Sequence, residues 1–149
     1  MTSLDHAGIA ARIPHAGRMC LLQRMAECSA THIVCMATNQ READHPLRTA
    51  SGLLAAAGIE YAAQAMALHG ALNAGSATEG PPSRGGALAS VRQVRLHVAR
   101  LDDVAGEITV SAQRLAGDAL QALYSFALHD ASGRALLEGR AAVVLDAAA

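Results

Sequence analysis

The longest apolar stretch of the chain runs from Leu53 to Leu72 and consists mostly of alanine, leucine, methionine and isoleucine. This composition predicts an α-helix that is apolar around most of its circumference. Ser51 stands just before the apolar run and is predicted to be the N-cap of the helix. A helix of this kind has to be enclosed by other elements of the fold.

Polar and apolar positions alternate on both sides of this helix, as they do in β-strands. In the segment THIVCMATN, one face of the predicted strand consists of Ile33, Cys35 and Ala37, and the other face consists of His32, Val34 and Met36. Gly117-Asp118 and Ser132-Gly133 are typical of hairpin turns. The predicted strands are 21–28, 31–39, 87–101, 106–117, 119–130 and 133–146. The order of elements predicts an α+β fold in which a curved antiparallel sheet wraps one long helix.

The segment Asn73 to Gly86 is rich in Gly, Pro and Ser and is predicted to be a connection within the fold. It is not predicted to be a domain boundary, because neither half of the chain alone covers its apolar surface. Residues 1–149 are therefore predicted to form a single domain.

Composition excludes several classes of function. The net charge is −1, which gives no general electrostatic reason for binding nucleic acid or a membrane surface. Glu60, Gln64 and His69 lie within the apolar stretch and make it a poor membrane span. All twelve basic residues are arginine, so no lysine is present to form a Schiff base.

The three cysteines, Cys20, Cys28 and Cys35, form no C-x-x-C pair. They are predicted to be buried, reduced thiols of a cytoplasmic protein. The motifs H-x-x-x-H and H-E-x-x-H are absent, as are G-x-S-x-G and the glycine-rich phosphate loops. We therefore predict no metal site and no bound cofactor.

Glu60 and Gln64 are the polar side chains that most need an explanation. They are four residues apart, so they share one face of the helix. A carboxylate within an apolar helix costs several kcal/mol unless it is paired, which suggests a function rather than packing. His69 points to the opposite side of the helix and is predicted to be a core residue. Tyr61 is predicted to be a packing residue.

Two other histidines precede the helix. His45 lies in the loop that leads into the helix, where it can share a pocket with Glu60. His15 lies between Pro14 and Gly17, and we predict a structural histidine there, hydrogen-bonded to backbone.

The chain resembles the hot-dog-fold 3-hydroxyacyl-ACP dehydratases, and more closely their branch associated with aryl polyene biosynthesis. The resemblance covers nearly the whole chain. It is carried by three segments: IPHAGRMCLLQRM, HPLRTASGLLAAAGIEYAAQAMALHG and LASVRQVRLHVARL. They resemble the family's opening segment, its active-site loop with the central helix, and its long strand after the helix.

The resemblance implies roles for individual residues. The family's catalytic histidine falls on His45 and its catalytic acid on Glu60, followed by Gln64 as a substrate-binding residue. The family's Pro-Gly at the helix start falls on Leu54-Ala55, where backbone N–H groups would bind the thioester oxygen. The interval from His45 to Glu60 is one residue longer than expected for the bacterial fatty-acid enzymes.

The resemblance also implies partners. The substrate would be a (3R)-hydroxyacyl group on the phosphopantetheine arm of an acyl carrier protein. Arg48, Arg92 and Arg95 are candidates for meeting that acidic protein. The chain would form a homodimer, or a heterodimer with a second hot-dog protein, with His45 of one chain facing Glu60 of the other. Two alternatives remain open: an acyl thioesterase, and a non-catalytic subunit that binds acyl groups for, or stabilises, an active partner.

Overall fold

The computed structural model describes residues 3–15, 17–74 and 86–145. Two helices, α1 and α2, and seven strands, β1 to β7, lie in these ranges. The helices are α1 (His6–Ala10) and α2 (Gly58–Ala74). The strands are β1 (Leu4–Asp5), β2 (Arg24–Cys28), β3 (His32–Ala37), β4 (Gly86–Leu96), β5 (Ile108–Gly117), β6 (Gln121–His129) and β7 (Ala135–Leu145). Short 3-10 turns span Gly17–Met19 and Ala55–Ala57.

The seven strands form one antiparallel sheet in the order β1-β2-β3-β5-β6-β7-β4. Helix α2 packs against β3, β4, β5, β6 and β7, so the sheet curves around it. The predicted α+β architecture, a hot-dog fold with one central helix, is confirmed. The prediction of a single domain over residues 1–149 stays a prediction.

The core is aliphatic, as the low aromatic content requires. Ile33, Cys35 and Ala37 point into it from β3, which confirms the predicted alternation. Gly58 lies where the helix meets the sheet most closely. A Cβ atom there would lie 2.5 Å from Leu137 Cδ2. Glycine at the first residue of α2 therefore sets how closely the helix approaches β7.

The beginning of the helix differs from the prediction. Ser51 does not cap it, because 49–52 form a tight turn in which Thr49 and Gly52 exchange backbone hydrogen bonds of 3.0 Å. Gly52 adopts a φ of +98°, which favours glycine. Leu53 and Ala55 then bond to the chain beyond β4, and α2 begins at Gly58.

Several strands are shorter than predicted. Strand β4 ends at Leu96, because the chain at 97–101 turns to meet 53–55. The two predicted hairpin turns are confirmed: Asp118 and Asp130 accept hydrogen bonds from backbone N–H groups that follow them. The short elements β1 and α1 were not predicted. Of the connection predicted at 73–86, residues 75–85 lie outside the described residues.

Candidate active site

Glu60 lies in the first turn of α2, and a charged cluster fixes the chain that leads into this turn. Asp102 Oδ1 accepts the Leu53 N–H at 3.1 Å. The Arg100 guanidinium donates to both Asp102 oxygens, and Arg48 lies 3.7 Å from Oδ2. The pKa of Asp102 is held well below its ordinary value, chiefly by the hydrogen bonds from Arg100. The entry to the helix is therefore held by an ionised carboxylate.

The Glu60 carboxylate is paired with His15. The distance between His15 Nε2 and Glu60 Oε1 is 2.9 Å, and the two side chains are 26% and 33% exposed. The expectation that His15 bonds to backbone is wrong: within the described residues its Nδ1 is buried and has no hydrogen-bond partner. Glu60 is less buried than the apolar sequence around it suggested.

Buried neighbours on both sides hold His15 in place. Ile13 packs into the core before it, and Cys20, Leu21 and Leu22 do so after it. Gly17 adopts a φ of +59° at the start of the 3-10 turn between these anchors. The chain is therefore tethered at both ends of a short loop, and the imidazole in this loop lies against the first turn of α2.

Gln64 joins this loop to the helix. Its Oε1 accepts the Leu21 N–H at 2.8 Å, and its Nε2 donates to the Met19 carbonyl at 2.7 Å. Nε2 also lies 3.3 Å from Glu60 Oε1. Gln64 is fully buried, so its amide is occupied by the protein rather than presented to a substrate as expected. It positions the carboxylate and the segment that follows His15.

His45 has a different set of contacts. It is 4% exposed, its Nδ1 accepts the Leu47 N–H at 3.0 Å, and its Nε2 lies 2.7 Å from the Tyr61 hydroxyl. Tyr61 in turn donates to Asn39 Oδ1 at 2.7 Å. Because Nδ1 is an acceptor, the ring proton is on Nε2 and is donated to Tyr61. Burial lowers the pKa of His45, so the neutral ring is favoured.

The predicted catalytic pair, His45 and Glu60, forms no hydrogen bond or ion pair within one chain. Tyr61 does more than pack, because its hydroxyl links His45 to Asn39. Burial raises the pKa of Tyr61, which keeps it a donor. The pairing of His45 with Glu60 across two chains stays a prediction, and no periodic pattern in IPHAG marks His15 as the partner of Glu60 within one chain.

Only part of the segment before the helix is exposed to solvent. Leu54 is 44% exposed, whereas Ala55 is buried and its N–H donates to the Ala99 carbonyl at 3.0 Å. The Ala55 amide is therefore not free to bind a thioester oxygen as expected. The Leu54 backbone lies beside Arg100 in a short antiparallel bridge.

His69 is a core residue, as predicted. Its Nε2 donates to the Ser29 carbonyl at 2.9 Å and its Nδ1 accepts from the Tyr124 hydroxyl at 2.7 Å. Burial lowers the pKa of His69 and raises that of Tyr124 to about 12. The pair is remote from Glu60 around the helix and stabilises the far end of the core.

The three cysteines are free and buried, as predicted. Burial raises the pKa of each thiol, to about 12 at Cys35. Within 3–15, 17–74 and 86–145, no group of three His, Cys, Asp or Glu side chains is arranged to bind a metal ion. In the same ranges, no helix has the length and apolar character needed to cross a membrane.

Known proteins resemble this chain over nearly its whole length. Residues 7–147 match the model of the ApeP-like family, described as ApeP dehydratase. A chain of the dehydratase heterocomplex ApeI:P from Xenorhabdus doucetiae is 23% identical and superposes with a TM-score of 0.81, over 93% of this chain and 91% of that chain. No curated protein matches.

More distant structures share the fold. AziG of S. sahachiroi is 17% identical, with a TM-score of 0.62 over 83% of this chain and 90% of that chain. A hypothetical thioesterase of Streptococcus pneumoniae, solved with coenzyme A, is 11% identical, with a TM-score of 0.55 over 82% and 84%. At these identities the likeness concerns the fold alone.

Proposed function

Since the chain belongs to the ApeP-like dehydratase family, we propose that it removes water from a (3R)-hydroxyacyl thioester and gives the trans-2-enoyl thioester. The acyl group is carried on the phosphopantetheine arm of an acyl carrier protein, in aryl polyene or fatty-acid-like biosynthesis. We expect the reaction to need no metal or redox cofactor, because water is lost without net oxidation or reduction and side chains can serve as the acid and the base. Free, buried thiols support a location in the reducing cytoplasm.

The observation that carries this proposal is a carboxylic acid in contact with an imidazole at the start of the enclosed helix. Dehydration requires a base for the proton on C2 and an acid for the hydroxyl on C3. An imidazole suits the first task near neutral pH, and Glu60 suits the second. Family resemblance assigns the base to His45 of a partner chain, and this assignment stays a prediction.

Turnover of a 3-hydroxyacyl thioester tests the proposal. The chain is incubated with the thioester on N-acetylcysteamine and on a carrier protein, and products are separated by mass spectrometry. An enoyl product supports the dehydratase. Free thiol would support a thioesterase, and no turnover, with or without a second hot-dog protein, would support a non-catalytic subunit.

Glu60→Gln keeps the shape of the side chain and removes the proton donor. We expect turnover to fall by roughly 10²–10⁴-fold while the protein stays folded. Glu27→Gln is the matched control, because Glu27 makes an equivalent 2.9 Å pair with His32 on the exposed part of the sheet. Near-full activity of Glu60→Gln would show that the acid is another residue.

A dimer is part of the proposal. Within the described strands, β4 pairs with β7 on one side only and forms one edge of the sheet. It exposes Leu88, Val91 and Leu96, and a long edge strand with apolar side chains favours pairing with another chain. The partner is a second copy or a second hot-dog protein. Light scattering with and without a candidate partner measures which one forms.

The arginines proposed to meet the carrier protein differ in their surroundings. Arg48 lies near Asp102. Arg92 and Arg95 are exposed on β4 and lie within 4 Å of no carboxylate in the part of the chain that the structure describes. Arg92→Glu with Arg95→Glu should raise KM for the substrate on the carrier protein and leave KM for the N-acetylcysteamine thioester unchanged.

A further inference from the structure

Three His–Glu pairs of equal length occur in the described residues, and only one of them is partly enclosed. His32–Glu27 and His97–Glu138 are both 2.9 Å long, with side chains 39% to 62% exposed on the sheet. His15–Glu60 is also 2.9 Å long, but its side chains are 26% and 33% exposed against the central helix. A pair at a partly dehydrated surface interacts more strongly than an exposed one and is better placed to exclude water from a reaction.

The atoms of this pair are also available for chemistry. Glu60 Oε1 is held by His15 and Gln64, and within the described residues Oε2 has no hydrogen-bond partner. Nδ1 of His15 is buried, so the ring exchanges protons through Nε2, and that nitrogen faces the carboxylate. One oxygen of the acid is therefore fixed by the protein, while the other is left for a substrate hydroxyl.

The ring nitrogens of His45 are less accessible to a substrate. Its Nδ1 lone pair accepts the Leu47 N–H, and its Nε2 proton is donated to the Tyr61 hydroxyl. A base needs a lone pair that the substrate can reach. The partly exposed His15 offers Nε2 when its contact with the Glu60 carboxylate opens to admit the substrate. Both ring nitrogens of His45 are engaged inside its own chain, where the side chain is buried.

We propose that His15 is the base that acts with Glu60 of the same chain, and that His45 is a positioning residue which holds Tyr61 and the loop before the helix. This assignment rests on the proposed dehydratase function. It differs from the assignment implied by family resemblance both in the histidine and in the chain that supplies it.

The proposed step is balanced in protons. The substrate enters between His15 and Glu60, which frees the Nε2 lone pair from the carboxylate. Nε2 takes the proton from C2, and the electron pair of that C–H bond forms the C2=C3 double bond. The C3–O bond breaks, and the oxygen leaves as water with the proton of Glu60. The pair is then an imidazolium and a carboxylate. After the product leaves, the contact between Nε2 and Glu60 forms again, and proton transfer across it restores the starting state without any proton from solvent.

Substitution of His15 tests the proposal. His15→Gln keeps a polar group beside Glu60 but cannot accept a proton from the substrate, so we expect kcat to fall by roughly 10²–10⁴-fold. His32→Gln is the matched control, since it breaks a pair of the same length, and its turnover should stay within about twofold of wild type. Imidazole in the buffer should restore part of the activity of His15→Ala, because the side chain that it replaces is 26% exposed and a small solute can reach its place.

The test of His45 uses a milder variant as well, because His45→Gln removes a buried hydrogen-bond network. Tyr61→Phe breaks the same network and leaves the His45 ring in place. We expect both variants to lower stability, while the folded protein keeps kcat within about threefold of wild type. If the chain works in a complex with a second hot-dog protein, the variants are made in this chain only.

The outcomes separate the two proposals. A wild-type chain that dehydrates thioesters while His15→Gln stays fully active would overturn the assignment of His15 and leave the function standing. A wild type that is inactive in every assembly would overturn both. In a homodimer, a mixture of His15→Gln and Glu60→Gln chains should stay inactive, because each site lacks one member of its pair. Recovery to about a quarter of wild-type turnover, as random pairing of the two chains gives, would show that the pair is formed between chains.

Discussion

Replacing Tyr61 with phenylalanine separates the structural role of the His45 network from any catalytic role. The variant removes one oxygen atom, and with it the acceptor of the His45 Nε2 proton and the donor to Asn39. His45 is 4% exposed, so its N–H cannot regain a hydrogen bond from water. Asn39 is only half-buried and can be hydrated.

The expected cost follows from these contacts. A buried donor left without an acceptor costs about 1–3 kcal/mol, and the lost bond to Asn39 costs less than about 1 kcal/mol once water replaces Tyr61. We therefore expect the free energy of unfolding to fall by about 2–3 kcal/mol. In a chain of this length, this corresponds to a drop in Tm of roughly 4–10 °C.

Urea unfolding measured by circular dichroism is the appropriate assay, because the chain contains no tryptophan. Protein concentration is kept constant, since association shifts apparent stability. Tyr124→Phe is the matched control. When Tyr124 loses its hydroxyl, His69 is left with one buried ring nitrogen unpaired, as His45 is in Tyr61→Phe. Among the described residues the Tyr124 hydroxyl bonds to no third group, so we expect a smaller loss of about 1–2 kcal/mol.

One result would refute this reasoning. If Tyr61→Phe kept its urea midpoint but lost dehydration by more than about 100-fold, the His45–Tyr61 network would belong to the catalytic machinery. A loss of stability with turnover close to wild type would show that the network stabilises the fold and has no catalytic role.

Gly58→Ala should lower the free energy of unfolding by about 1 kcal/mol in urea titrations, because the clash of the new methyl group with Leu137 outweighs the gain in helix propensity. An unchanged or higher midpoint would show that the sheet relaxes around the added methyl group. Burial lowers the pKa of His45 and of His69 from the ordinary 6.5, so the unfolded chain binds more protons than the folded chain at mildly acidic pH. Their contribution to stability is complete above about pH 6.5 and decreases as the pH falls below it. Urea midpoints at a series of pH values measure this, and a midpoint that rises on acidification would contradict it.

The amino-acid sequence by itself determined the architecture. The apolar run around Glu60 predicted a helix that other elements must enclose, and alternation such as that of Ile33, Cys35 and Ala37 predicted the strands that enclose it. These features depend on the periodicity of apolar residues and on the residue types at turns, and both can be read directly from the amino-acid sequence. The sequence also identified Glu60 as the unusual residue, because a carboxylate in an apolar helix has no role in packing.

The tertiary structure alone decided which groups meet Glu60. Nothing in the spacing of the chain brings His15 to the helix; the contact exists because Ile13 and the apolar residues from Cys20 onward anchor a short loop against α2. Sequence proximity favoured His45, but Tyr61 and Leu47 occupy both of its ring nitrogens. Whether a side chain is free to react depends on contacts between segments that are distant in sequence. The spacing of residues along the chain does not predict these contacts.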